Sequence, residues 1–285
     1  MTIIIDAKNM CETKILTYKD EVSKIRSVIN RQPEFVIINA SDDEGNARYI
    51  KGKIKEGEKA GLKVNAIKFD EDCTDQDILD IINRCNSDKI PVILQLPTFK
   101  HLDTEILMKS INFDVDADGF AKEWIGEVNL GNDTSIAPAT PKGVIQLLEY
   151  HNVNVEGKIA LVIGKSNHVG KPLCSMLMNR DATVISANSK TKDLSSLVKI
   201  SDIIISCVGC INLINPEDIK KDAVVIGVGF TYVNGKQVLD FDIDKVVELD
   251  KASIVSNRIN CTGKATINSL IGNVVELYKK NFNIE

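Results

Sequence analysis

Lys158-Ile-Ala-Leu-Val-Ile-Gly164-Lys-Ser-Asn-His-Val-Gly170-Lys-Pro172 decides the fold. An apolar run stops at a glycine, a second glycine follows at Gly170, and Lys171-Pro172 opens a helical pattern: strand, glycine turn, helix start. Exposed amides at a helix N-terminus attract phosphate oxygens, and glycine lets the backbone approach a ligand closely. The spacing Gly-x5-Gly departs from GxGxxG, and taken alone it also describes an ordinary structural turn. The segments downstream narrow the choice: helix 171–180, strand 182–186, helix 193–200, strand 202–208, a short helix at 216–220, strand 223–228 and strand 253–256. Strands alternating with helices at this spacing predict an α/β fold with a parallel, doubly wound sheet.

Upstream, Thr140 as N-cap and Pro141 at the first helical position predict a helix running through Gly143 to His151, so a domain begins there. Before it, Phe35-Val-Ile-Ile38 and Pro91-Val-Ile-Leu94 read as short buried strands, and 46–61 and 75–86 as surface helices. Residues 112–140 lose periodicity and gather Asp, Gly, Asn and Pro, as in Asp118-Gly119, Gly131-Asn132-Asp133 and Pro138-Ala-Thr-Pro141. This reads as a long loop and a candidate functional segment. Beyond the doubly wound pattern, Ile267, Leu270, Ile271, Val274, Val275 and Tyr278 mark one amphipathic helix over 265–280, whose packing partner the pattern leaves open.

The 285 residues suffice for about two domains and a sizeable core. With 44% hydrophobic and 26% charged residues, the composition is that of an ordinary globule, not of a disordered or fibrous chain. Thirty-five Lys plus Arg against forty Asp plus Glu leave a formal charge of −5, so no broad cationic surface awaits a nucleic-acid backbone. No apolar run reaches the roughly 20 residues of a membrane helix, and Met1-Thr-Ile-Ile-Ile-Asp6 lacks signal-peptide character. Seven scattered cysteines fit free thiols, which places the protein in a reducing cytoplasm. No Cys/His grouping has zinc-ligand spacing, so no metal is expected.

Two basic groups offset the acidic total. An NAD site commonly carries a carboxylate at the end of its second strand. Here that region reads Ser186-Ala-Asn-Ser-Lys-Thr-Lys192, and Ser189, Lys190 and Lys192, with Lys165 in the turn, favour NADP while leaving NAD possible. A solvated basic loop is the plainer alternative. In the second group, 47–63, six basic residues face two acids, and Tyr49 and Lys53 share a helix face four residues apart. Simple solvation is the usual role of such lysines. Gln95, however, ends a buried strand just before Leu96-Pro97, where the crevice of an α/β sheet opens, and a buried amide there needs a partner. Asp118 lies in the turn-like Asp116-Ala-Asp-Gly-Phe120 and reads equally as turn chemistry or as a ligand. Cys207-Val-Gly-Cys210 has the spacing of a redox pair but ends a strand of the nucleotide fold, so structural thiols are expected.

Tyr49-x3-Lys53, Leu94-Gln-Leu-Pro97, Asp116-x-Asp-Gly-Phe120, Pro138-x-Thr-Pro-x-Gly143 and Gly164-x-Ser-x-x-Val-Gly-x-Pro172 occur in one order. That order and spacing resemble the methylenetetrahydrofolate dehydrogenase/cyclohydrolase family of one-carbon metabolism, from about residue 35 to the final helix. The resemblance implies a folate-binding domain, 1–140 plus 264–285, and a Rossmann NAD(P)-binding domain, 141–263, with a cleft between them and the last helix returning to the first domain. It implies NADP-dependent oxidation of methylenetetrahydrofolate and hydrolysis of the methenyl product to formyltetrahydrofolate, commonly in a homodimer. It also implies that Lys53 is the catalytic lysine, that Gln95 contacts it, that Tyr49 borders the folate ring with Leu96 and Pro97 nearby, and that Asp118 holds the pterin. Gly164, Lys165, Ser166, Val169, Gly170, Ser189, Cys207 and Gly209 are placed at the cofactor.

Several positions depart from the family pattern. Val115 stands in place of a lysine, Gly227 of an aspartate and Asn188 of a histidine. In Asn257-Arg-Ile-Asn-Cys-Thr-Gly-Lys-Ala-Thr266, only Gly263 and Thr266 survive of the Pro-Gly-Gly-Val-Gly-Pro-Met-Thr loop that passes both ligands in the family. Asn260 tolerates left-handed geometry where Cys261 does so less well, and the loop path should change. Two other readings stay open: a diverged paralogue that binds folate or dinucleotide with little turnover, and a shikimate-type dehydrogenase on a similar two-domain plan.

Overall fold

The structure is a computed structural model that describes residues 2–132, 134–233, 236–258 and 260–285. Met1, Asp133 and Ile259, which fall in stretches singled out by the sequence, lie outside the described residues. In chain order the first elements are β1 (Ile3–Ile5), α1 (Lys8–Ile29), β2 (Glu34–Asn39), α2 (Glu44–Lys59), β3 (Lys63–Lys68), α3 (Asp75–Asp88) and β4 (Val92–Leu94). Then come α4 (Thr104–Ser110), α5 (Lys122–Leu130), α6 (Ala139–Tyr150), β5 (Ile159–Ile163), α7 (Gly170–Met178), β6 (Thr183–Ala187), α8 (Leu194–Ile200) and β7 (Ile203–Ser206). The chain closes with a short 3-10 turn (Pro216–Asp218), β8 (Ala223–Gly227), β9 (Phe230–Val233), β10 (Lys236–Leu239), α9 (Ile243–Glu248), β11 (Ala252–Ser256) and α10 (Thr262–Phe282).

These elements form two compact units, Glu12–Gly126 with Thr134–Ala139 and Ile267–Glu285, and Met1–Cys11 with Glu127–Asp133 and Thr140–Thr266. The first unit holds a three-stranded parallel sheet in the order β3-β2-β4. Its strands alternate strictly. Phe35, Ile37 and Ile93 join a core with Ile15, Val22 and Ile25 of α1, Ile50 of α2, and Leu270, Val274 and Tyr278 of α10. Val36, Ile38, Val92 and Leu94 face the other way, onto Ile78, Ile82 and Cys85 of α3 and Leu107 of α4. With both faces covered, strands of parallel type read as continuous apolar runs.

The second unit is a six-stranded parallel sheet, β1-β11-β8-β7-β5-β6. Strand order reverses at β5, which lies between β6 and β7, and ligands of such sheets bind beyond the strand carboxyl ends at that reversal. β9 and β10 form a separate antiparallel pair.

Several features depart from the sequence expectations. Residues 1–11 belong to the second unit because β1 pairs with β11, Ile3 opposite Ile254. Residues 127–133 go with it as well, tied by Ser175 Oγ to Asn129 Oδ1 at 3.0 Å and by Asn179 Nδ2 to the Val128 carbonyl at 2.7 Å. The stretch 112–140 is not one long loop, since α5 forms inside it on two buried anchors four residues apart, Trp124 and Val128. Helix α6 starts at Ala139, so Thr140 and Pro141 lie in its first turn and Thr140 is not the N-cap.

Candidate functional site

In the first unit, three loops meet at the carboxyl end of the sheet. Asp43 caps α2, its carboxylate accepting from the Asn46 amide at 2.8 Å. The helix then places Asn46, Ile50 and Lys53 on its buried side, with Tyr49 half-buried between them. Gln95 follows β4, its amide N–H donating to the Ile38 carbonyl at 2.8 Å. The Lys53 Nζ donates to Gln95 Oε1 at 2.7 Å. Gln95 Nε2 in turn donates to Asn46 Oδ1 at 3.2 Å and to the Leu96 carbonyl at 3.1 Å, and Asn46 Nδ2 donates to the Pro97 carbonyl at 3.2 Å. The Leu96-Pro97 peptide is cis. Because the Gln95 NH2 group is committed to two acceptors, its oxygen must face the lysine.

Lys53 is only 7% exposed. Burial pulls its pKa below the ordinary lysine value, and the nearby charge of Asp118 opposes that in part. Simple solvation, the usual role of lysines in the 47–63 basic group, therefore does not describe Lys53. Arg48, Lys51, Lys55, Lys59 and Lys63 are the exposed members of that run, whereas Lys53 is buried, and its burial lowers its pKa.

Asp118 is presented by a turn that its neighbour builds. The Asp116 carboxylate accepts from the amides of Gly119 at 3.1 Å and Ala121 at 2.6 Å. Burial first, then the charge of Asp118, raise its pKa to about 7, against the lowering effect of those amides. Gly119 has φ +73°, and a Cβ there would stand 2.6 Å from the Ile136 carbonyl oxygen, so only glycine fits. From α10, Asn273 Nδ2 donates at 2.9 Å to both the Ala117 and Ala137 carbonyls, fixing the turn from behind.

The second unit gathers the other candidates at the carboxyl ends of β5, β6 and β7. Gly164 leaves β5 with φ +118°, and a Cβ built on it would lie 3.3 Å from the Cys207 carbonyl. A Cβ on Gly170 would stand 1.9 Å from the Gly164 carbonyl oxygen, so the turn closes only around glycine. Ser166 Oγ accepts from the amides of Val169 at 3.1 Å and Gly170 at 3.3 Å. Lys165 and Ser166 are exposed, and so are Ser189, Lys190 and Lys192 beyond β6. Cys207 and Gly209 follow β7; burial pushes the Cys207 thiol up to about 12, which fits a structural rather than a redox cysteine. All seven cysteines are free.

The altered loop has a defined course. Asn260 takes the left-handed slot at φ +57°, its carbonyl accepting from the Ala7 amide at 2.8 Å. Cys261 is buried at the start of α10, and Thr262 Oγ1 donates to the Gly227 carbonyl at 3.0 Å. At Gly227 a Cβ would meet Leu239 at 2.8 Å, and Val115 is buried in an apolar cluster, so both departures are packed positions.

Residues 138–282 match the model of the tetrahydrofolate dehydrogenase/cyclohydrolase NAD(P)-binding domain, and residues 5–118 that of the catalytic domain of the same family. The chain belongs to the tetrahydrofolate dehydrogenase/cyclohydrolase family. It is 36% identical over 283 residues to the bifunctional protein FolD of Mycoplasma capricolum, covering 98% of this chain and 99% of that protein. The solved bifunctional FolD of Campylobacter jejuni superposes with a TM-score of 0.93 at 32% identity, covering 99% of this chain and all of that one (100%). The Trypanosoma brucei enzyme, solved with NADP cofactor and inhibitor, gives 0.92 at 25% identity over 98% of each chain. The activity is accordingly that of a bifunctional methylenetetrahydrofolate dehydrogenase/cyclohydrolase in folate one-carbon metabolism.

The structure brings Lys53 and Gln95 together; Asn46 and Asn273, not singled out in the sequence, join their surroundings, and Asp116, quoted there only within a motif, builds the Asp118 turn. Asn46 had a signal, since 46, 49, 50 and 53 follow the i, i+3, i+4, i+7 rhythm of one helix face. No helix among the described residues is long and apolar enough to cross a membrane. Among them, no group of three or more His, Cys, Asp or Glu could hold a metal ion.

Proposed function

We propose that Lys53 is the acid-base group of the hydrolysis, that Gln95 orients it, and that Tyr49, Leu96, Pro97 and Asp118 bind the folate. The observation that carries this reading is the Lys53–Gln95 hydrogen bond on a lysine whose burial favours its neutral form. Water attacking the methenyl carbon must lose a proton. A neutral amine takes it and later returns it to the departing nitrogen, a role worth about 10²–10⁴-fold in rate. Asp118, near enough to Lys53 to oppose its loss of charge, keeps the amine basic enough to accept.

The second unit suits a dinucleotide. Gly164, Lys165, Ser166, Val169, Gly170, Cys207 and Gly209 would hold it, because the Gly164–Gly170 closure leaves backbone where side chains would otherwise stand. When bound, its nicotinamide accepts the hydride from the methylene carbon. Absence of a carboxylate from 186–192, with exposed Ser189, Lys190 and Lys192, supports NADP over NAD. We place the enzyme in the cytoplasm, as a homodimer. The test is an absorbance assay on methylenetetrahydrofolate with NADP and NAD in parallel. The methenyl species should appear faster with NADP and then decay; no appearance with either would refute the reading.

A further inference from the structure

Asp240 takes no part in the roles assigned so far, yet it is the most completely enclosed carboxylate beside the cofactor end of the sheet, at 0% exposure. It follows β10, and its side chain reaches the loop after β7. Ser206 Oγ donates to Oδ2 in a short hydrogen bond, the Val208 amide donates to Oδ2 at 3.2 Å, and the Cys210 amide donates to Oδ1 at 2.6 Å. Two backbone N–H groups flanking Gly209 thus converge on one carboxylate, as they would around a bound anion.

The opposite side of the loop is equally constrained. Gly209 has φ +78°, and a Cβ on it would lie 2.8 Å from the Phe230 carbonyl oxygen. A Cβ on Gly229 would stand 2.3 Å from the Gly209 nitrogen. Cys207 begins the loop in contact distance of Gly164, at the place where the strand order reverses. The loop therefore has one shape, set by a carboxylate on one side and backbone on the other.

We propose that Asp240 is a positioning residue for dinucleotide binding, fixing the Cys207–Cys210 loop through Ser206, Val208 and Cys210. This rests on the reading that the second unit holds NADP. An amide cannot replace the carboxylate, because asparagine has one accepting oxygen and its NH2 group must face at least one of the three donors.

The test compares wild type, Asp240→Asn and Ser206→Ala by calorimetric titration with NADP, with hydrolysis of methenyltetrahydrofolate measured in the absence of dinucleotide. Asp240→Asn should weaken NADP binding about 10- to 100-fold, the cost of a lost hydrogen bond to a charged group, with hydrolysis retained. Ser206→Ala, which leaves both amide donors in place, should weaken binding by a smaller factor of roughly 3 to 10. A purely structural role would lower the binding stoichiometry or the melting temperature and leave the affinity of the folded fraction unchanged. Affinities within twofold of wild type in both variants overturn the inference. Should Asp240→Asn fail to fold, Ser206→Ala alone decides on the same criterion. Wild-type protein that binds neither NADP nor NAD overturns the functional reading and this inference together, whereas normal wild-type binding with unaffected variants overturns this inference alone.

Discussion

Replacing Lys53 by Met separates chemistry from folding, because methionine fills much of the same volume without the titratable nitrogen. If the amine carries the proton in hydrolysis, Lys53→Met should slow decay of the methenyl species by about 10²–10⁴-fold. NADP binding, assigned to the other unit, should be retained. Stability gives a second, independent readout. The folded pKa of Lys53 lies below its unfolded value of about 10.5. Between the two, the unfolded chain binds one more proton than the folded chain, so this group makes stability rise with pH. Its slope reaches about 1.4 kcal/mol per pH unit inside that window and vanishes below the folded pKa and above the unfolded one. Urea denaturation from pH 6 to 10 should show this alkaline rise in wild type and a flatter profile in the variant. Against this, the half-buried Gln95 oxygen loses its donor, costing at most about 1–3 kcal/mol and less where water reaches it. Hydrolysis within twofold of wild type, or identical pH profiles of stability, would refute the reasoning.

The same geometry sets other outcomes. Gln95→Glu places a carboxylate 2.7 Å from the lysine nitrogen, stabilising its charged form, and should move the ascending, acidic limb of the hydrolysis pH profile to higher pH; a profile that stays in place would contradict the assigned contact. Gly170→Ala puts a methyl group 1.9 Å from the Gly164 carbonyl oxygen, so it should cost about 1–3 kcal/mol or more in overpacking and raise KM for NADP, with dinucleotide-independent hydrolysis spared. Thermal melting and steady-state kinetics on that variant check both effects.

Much of the second unit was legible because its central strands are buried on both faces and punctuated by glycine, as at Ile159–Ile163 followed by Gly164. What escaped were elements whose partners are remote in sequence. β1 has only three residues, and nothing in Ile3-Ile-Ile5 announces pairing with residues 254–256. The hairpin β9-β10 and helix α9 are similarly short, and α5 is anchored by just two buried side chains. At the folate end, spacing found Tyr49 and Lys53, but in a lysine-rich run it could not show which lysine turns inward. That is decided by Asn46, Ile50 and Gly57 on the same helix side and by α10 packing against them. Asp240 had no local signature, since its partners lie 30 to 34 residues earlier.

The pairing of β1 with β11 has a consequence for how the chain is made. Ile3 can join its sheet only after Ile254 has been synthesised and released. At about 5–20 residues per second of translation, the first strand waits on the order of 10–50 s with its edge unsatisfied. Two of its residues, Ile3 and Ile4, remain about half exposed even in the finished protein. Of the strands in its sheet, β1 therefore waits longest between its synthesis and its pairing. An N-terminal fusion that delays or blocks that docking would leave β11 as a bare sheet edge directly ahead of the Asn260 loop.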